Sequence, residues 1–146
     1  MKKTDEPIIV EQIFKSSKSD VWKAITELKQ MKQWFFNNIE SFKPEVGFET
    51  KFIIQNEDRV FPHLWKVTDV EPMSKITYNW KYEGYRGDAY VHFELFEQKL
   101  LQTKVRLTHQ VIESFPSDVP EFTRDSCIGG WNYFIKQNLK SYLEKT

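Results

Sequence analysis

Hydrophobic and polar residues alternate through most of the middle of the chain. The cleanest run is LQTKVRLTHQVI. There Leu101, Thr103, Val105, Leu107, His109 and Val111 share one face, against Gln102, Lys104, Arg106, Thr108 and Gln110. A period of two marks a half-buried strand. AYVHFELFEQ likewise groups Val91, Phe93 and Leu95, and KITYNWKY groups Ile76, Tyr78, Trp80 and Tyr82. FETKFIIQ and FPHLWKVTDVEP read as two further strands. The first ends in the turn-like NEDR; the second stops at Pro72 and tolerates Pro62 near its start. EGYRGD is a glycine-bearing turn. Strands joined by such short turns predict an antiparallel meander. IIVEQIFK, short and β-branched, adds a strand near the N-terminus.

Two segments carry a helical period instead. In VWKAITELKQMKQWFF, Val21, Trp22, Ile25, Leu28, Met31, Trp34 and Phe35 recur every three to four residues. This predicts two short helices, broken near Thr26, with Ser17 or Ser19 as the cap. At the C-terminal end, DSCIGGWNYFIKQNLKSYLE places Cys127, Ile128, Trp131, Phe134, Ile135, Asn138, Leu139 and Tyr142 on one broad face. Asp118 with Glu121 resembles a capping box for it, and Pro120 suits a first turn. Gly129 and Gly130 project to the back and flank of the apolar stripe. They predict a bend or a close backbone contact, with a hinge for a moving lid as the functional alternative. The order of elements is α+β, in one domain over residues 1–146, with helices segregated from an antiparallel sheet. The long helix must bury its stripe on the concave side of that sheet, and the space between them is a natural place for a pocket.

Composition narrows the function classes. Lys plus Arg and Asp plus Glu are both 21, so the net charge is zero. No basic run appears, and a nucleic-acid partner is not expected. Cys127 is the single cysteine, which excludes an intramolecular disulfide and a cysteine metal cluster. MKKTDEP is charged, without a signal-peptide apolar core, and no stretch is apolar for the roughly 18 residues that a membrane span needs. A cytoplasmic protein without a membrane span is the expectation.

Catalytic signatures are sparse. HExxH, GxGxxG, GxSxG and P-loop patterns do not occur. His63, His92 and His109 would need one common face to hold a metal, which the alternation does not supply. No metal and no cofactor are expected. His109 stands out because it shares an inward face with Leu107 and Val111. It reads as a core histidine satisfied by a hydrogen bond, or as a pocket group that orients a ligand or moves a proton. It is the one catalytic candidate. Cys127 reads as a small buried residue rather than a nucleophile. Of the three consecutive aromatics Trp34, Phe35 and Phe36, some pack under the C-terminal helix and one can line or gate a cavity entrance. The candidate cavity residues are Trp34, Phe52, Ile54, Trp65, Tyr78, Trp80, Phe93, His109, Trp131, Phe134 and Ile135. Tyr78 and Tyr82 could supply hydroxyls to a mainly apolar ligand.

Several passages occur together in a telling order: SKSDVWKAIT, Trp34, VTDVEP to KITYNW, VHFELFEQ, VRLTHQVI and GGWNYFIKQNLKSYLE. In this order they resemble the family of homologues of the activator of heat-shock protein 90 ATPase, within the START-like, Bet v 1-like superfamily called SRPBCC. The resemblance runs from about Ile8 to Lys145. It implies a helix-grip fold, in which a curved sheet wraps the C-terminal helix, two short helices support its far end, and an apolar cavity lies between. Members range from co-chaperones and lipid carriers to receptors and cyclases, so the fold alone does not fix a function. The resemblance and the aromatic interior together imply a binder of a small hydrophobic or amphipathic ligand. A chaperone-interacting protein and a cyclase- or hydrolase-type enzyme are the alternatives. The resembled eukaryotic co-chaperone carries a separate N-terminal chaperone-binding domain. Only seven residues precede the first strand here, so the match is to the C-terminal domain, which argues against the chaperone alternative.

Overall fold

The computed structural model describes residues 1–145. Strand β1 (Ile8–Phe14) leads into α1 (Lys18–Thr26) and α2 (Leu28–Trp34). Five strands follow: β2 (Glu49–Asn56), β3 (Arg59–Glu71), β4 (Lys75–Tyr82), β5 (Asp88–Lys99) and β6 (Gln102–Glu113). They form an antiparallel meander, and β1 returns beside β6, so the sheet order is β1-β6-β5-β4-β3-β2. The alternation predicted for β5 and β6 is what orients them. Val91, Phe93, Leu95, Val105, Leu107, His109 and Val111 are all buried on the concave face. Leu101 departs from that face. It sits in the β5–β6 turn at φ 59° and is 61% exposed. A left-handed turn residue cannot keep the strand's alternation. Register shifts at Val67/Asp69, Asp88/Ala89 and Glu97/Lys99 bend the long strands, as bulges do.

The two short helices are tied together and then to the C-terminal helix. Ser17 caps α1 by accepting from Asp20 N at 3.1 Å. The Trp34 indole donates to Ala24 O at 2.7 Å, which locks α2 against α1. Asn138 then donates to Trp34 O at 3.1 Å, and the Tyr142 hydroxyl to Gln30 Oε1 at 3.1 Å.

The C-terminal helix α3 runs over residues 124–144. Arg124–Trp131 and Lys140–Glu144 are α-helical, and Asn132–Leu139 between them is π-helical. The sequence period predicts α geometry throughout; the wider i→i+5 turns are a difference the sequence does not announce. Trp131, Ile135 and Leu139 are buried against the sheet. The helix start also differs from expectation. Pro120–Phe122 form a separate 3-10 turn, so the cap is Thr123, whose hydroxyl accepts from Ser126 N at 3.2 Å. Glu121 is drawn away instead to Arg59, whose Nε lies 2.8 Å from its Oε1.

This is the α+β helix-grip arrangement. Its core has two parts. The larger fills the space between sheet and helices; the smaller gathers Phe61, Ala89, Val111, Phe115 and Phe122 beneath the loop that precedes α3. No helix among the described residues is long and apolar enough to cross a membrane.

Candidate ligand cavity

A cavity of about 110 Å³ lies where the two parts of the core meet. Its sheet wall is His63 from β3, Trp80 and Tyr82 from β4, and His109 from β6. Its helix wall is Cys127, Gly130, Trp131 and Phe134. Phe36, just past α2, and Met1, Phe115 and Glu121 complete its lining. Neighbouring rings of the lining are in contact: Phe36 and Phe134 centroids are 4.8 Å apart, and Trp80 and Trp131 centroids 5.5 Å. A larger hollow of about 420 Å³ lies on the outer face of β2–β4. It is bordered by Glu49, Lys51, Lys66 and Lys81, and its one aromatic member, Trp65, is buried in the core. The inner cavity is the better candidate because aromatic side chains line it from both the sheet and the helix and two histidines border it.

The two histidines are held in opposite tautomers. The Trp131 indole N–H donates to His109 Nδ1 at 3.1 Å. An indole only donates, so Nδ1 accepts and the ring proton sits on Nε2. The Cys127 thiol also lies 3.7 Å from Nδ1. His109 Nε2 is buried with no hydrogen-bond partner among the described residues. Leaving such a donor unpaired costs about 1–3 kcal/mol. His63 shows the reverse arrangement. Its Nδ1 lies 2.9 Å from Phe61 O, a carbonyl that only accepts, so Nδ1 carries the proton and Nε2 is an acceptor.

Burial keeps the titratable side chains of the inner wall neutral. Burial brings His63 down to about 4. Burial, helped by the nearby N-terminal ammonium, brings His109 down to about 4. Burial pushes the Cys127 thiol up to about 12 and raises the Tyr82 phenol, which accepts from the Trp80 indole at 2.9 Å. All four groups are therefore neutral near pH 7. Of the two charges at the rim, Glu121 is compensated by an ion pair and the Met1 ammonium keeps its charge. Met1's ammonium donates to Phe122 O at 2.7 Å, and Glu121, held below the usual carboxylate range by Arg59, is paired with it. With its thiol protonated, Cys127 is a wall residue, not an activated nucleophile.

The candidate residues divide between this cavity and the surrounding core. Trp80, His109, Trp131 and Phe134 border the cavity. Trp34, Phe52, Trp65, Tyr78, Phe93 and Ile135 are buried and do not line it, and Ile54 is half-buried on the edge strand β2. Tyr82 supplies a hydroxyl to the wall; Tyr78 lies deeper, fully buried. Of the three consecutive aromatics, Phe36 is the one at the cavity. Gly130 borders it too, contrary to its expected place on the flank of the helix. A Cβ added at Gly129 or Gly130 would meet no atom within 4 Å, so neither glycine is there for close backbone approach. His63 was legible by the same alternation as His109, because Phe61, His63, Trp65 and Val67 all point inward. His92 does not join the other two histidines: its Nδ1 lies 2.8 Å from Thr77 Oγ1, and it takes no part in lining the cavity.

Comparison with known proteins places this architecture. The chain superposes on a protein of Chromobacterium violaceum with a TM-score of 0.79 at 15% identity, over 96% of this chain and 98% of that one. It superposes on CalU16 of Micromonospora echinospora with a TM-score of 0.67 at 22% identity, over 95% of this chain and 76% of that one. The Aha1 dimer of Colwellia psychrerythraea gives a TM-score of 0.68 at 25% identity, over 97% and 98% of the two chains. No curated protein matches the chain. The family model of the Activator of Hsp90 ATPase homolog 1-like proteins matches residues 15–144, from the end of β1 through the last turn of α3. The chain belongs to that family.

Proposed function

We propose that the protein binds one small, largely apolar molecule between the sheet and the C-terminal helix. The observation that carries this reading is the aromatic cavity of about 110 Å³ walled by Trp80, Trp131, Phe36 and Phe134, with two neutral histidines on its surface. Cavities of about 150 Å³ with apolar walls take up a molecule the size of benzene, so the occupant is about one six-membered ring in size. Proton-transfer catalysis finds less support. A base held down to about 4 and a thiol pushed up to about 12 are both poorly matched to work near neutral pH.

The test is thermal unfolding in the presence of ring-sized apolar compounds. A ligand that binds only the folded state raises Tm in proportion to RT ln(1 + [L]/Kd). Binders should raise the Tm of the natural protein and leave Cys127→Phe, whose added ring occupies the cavity, unmoved. If no such compound shifts Tm, or if the filled variant responds equally, the proposal is wrong.

Membership of the activator family favours a second reading, contact with a chaperone through the outer surface. Stimulation of an Hsp90-type ATPase by the purified protein would support it. Unchanged turnover at saturating protein would remove it.

A further inference from the structure

We infer that Gly130 sets the size of the molecule that the cavity accepts. The side chain it lacks leaves the space that the occupant fills, so the occupant lies against the backbone of the C-terminal helix at this point. This rests on the ligand-binding reading above and adds the residue that determines specificity.

Gly130 is half-buried and lines the cavity together with Cys127, Trp131 and Phe134. These positions stand at i, i+3, i+4 and i+7, the spacing of one helix face. A side chain at 130 would therefore leave the helix on the face that borders the cavity. A Cβ placed there meets no atom within 4 Å. Its helix neighbours on that face carry an indole and a phenyl ring, so Gly130 is a gap in an otherwise bulky wall.

Neither backbone nor packing asks for a glycine here. Gly130 lies inside the α-helical stretch Arg124–Trp131, without the positive φ found at Gly47, Gly84 and Gly87. Glycine is the weakest helix former after proline, so an alanine would suit this backbone better. What an alanine would take away is space. The cavity holds about 110 Å³, so each carbon added at 130 removes room that the ligand's own carbons would use. Gly129 supplies the contrast. It shares the helical backbone and the free Cβ position, but it is exposed and does not line the cavity. A side chain at 129 changes the helix and leaves the cavity as it is.

The test compares benzene with toluene, one methyl larger, through the rise in Tm that each gives over the ligand-free protein. The variants are Gly130→Ala, Gly130→Leu, Gly129→Ala and Gly129→Leu. Gly130→Ala should raise the ligand-free Tm, as a better helix former in free space. It should also shift the ratio of toluene to benzene affinity against toluene by about tenfold, the discrimination that one carbon commands in an apolar pocket. Gly130→Leu should lose both ligands. The two Gly129 variants should bind as the natural protein does. A ligand-free Tm lowered by Gly130→Ala would show that the space is not free and overturns the inference. Unchanged binding in Gly130→Leu, or an equal loss in Gly129→Leu, overturns it as well. If Cys127→Phe still blocks binding in those cases, the cavity reading stands without a role for Gly130. If neither benzene nor toluene binds the natural protein, the cavity reading fails, and this inference fails with it.

Discussion

At the scale of single residues, the site is governed by what burial does to titration. His63 and His109 are neutral in the fold down to about 4, whereas an unfolded histidine takes up its proton near about 6.5. Above about pH 6.5 both states are neutral and stability is unaffected. As the pH falls from there toward about 4, the unfolded chain binds protons that the fold refuses, and stability declines by about 3 kcal/mol per histidine, as an order of magnitude. Urea midpoints measured across this window should fall steeply, and His63→Gln should flatten part of the decline. A midpoint independent of pH would contradict the neutral assignment. The Trp131–His109 hydrogen bond makes a second prediction. Trp131→Phe and His109→Leu should each destabilise, by about 1–3 kcal/mol where a polar partner is stranded. The double variant should lose less than the sum of the two, because neither change then strands the other group. Strict additivity in denaturant unfolding would show that the bond carries no energy.

At the scale of elements, the glycines distinguish conformational need from tolerance. Gly129 is exposed inside α3, and a Cβ there meets nothing within 4 Å. Gly129→Ala should therefore stabilise the protein by up to about 1 kcal/mol, visible as a higher Tm. A lower Tm would reveal a need for flexibility in the helix start. Gly87 is the opposite case. It sits at φ +120° in the β4–β5 turn, and a Cβ would overlap the Phe115 ring, which also walls the cavity. Gly87→Ala should cost about 1–3 kcal/mol and weaken binding together with stability.

These elements also mark what the sequence makes readable. Strands β4, β5 and β6 follow from strict alternation, since each needs only its own pattern. The two short helices are readable from spacing, but the apolar period runs unbroken past Thr26, and the Trp34 indole bond to Ala24 shows how α2 is held against α1 without Gly or Pro between them. The π-helical stretch Asn132–Leu139 leaves no mark in an apolar period that an α-helix would satisfy equally. His109 is readable because it is polar on an apolar face. Met1, Phe115 and Glu121 are not, because they reach the cavity through loop packing between residues far apart in sequence. The size of the cavity is not readable either. An aromatic stripe predicts burial, and whether the rings leave space depends on how the two parts of the core abut.

At the scale of the whole molecule, a curved sheet closes on one helix, and an aromatic-lined cavity lies where the large and the small core meet. The family match fixes the architecture, and the aromatic side chains around that space give it its apolar character. The most direct measurement is native mass spectrometry of the protein purified from its own host, beside Cys127→Phe purified in the same way. The account predicts a one-to-one adduct with a small, largely apolar compound on the natural protein, lost on denaturation and missing from the filled variant. A natural protein that carries no adduct, or an adduct that persists when the cavity is filled, would contradict it.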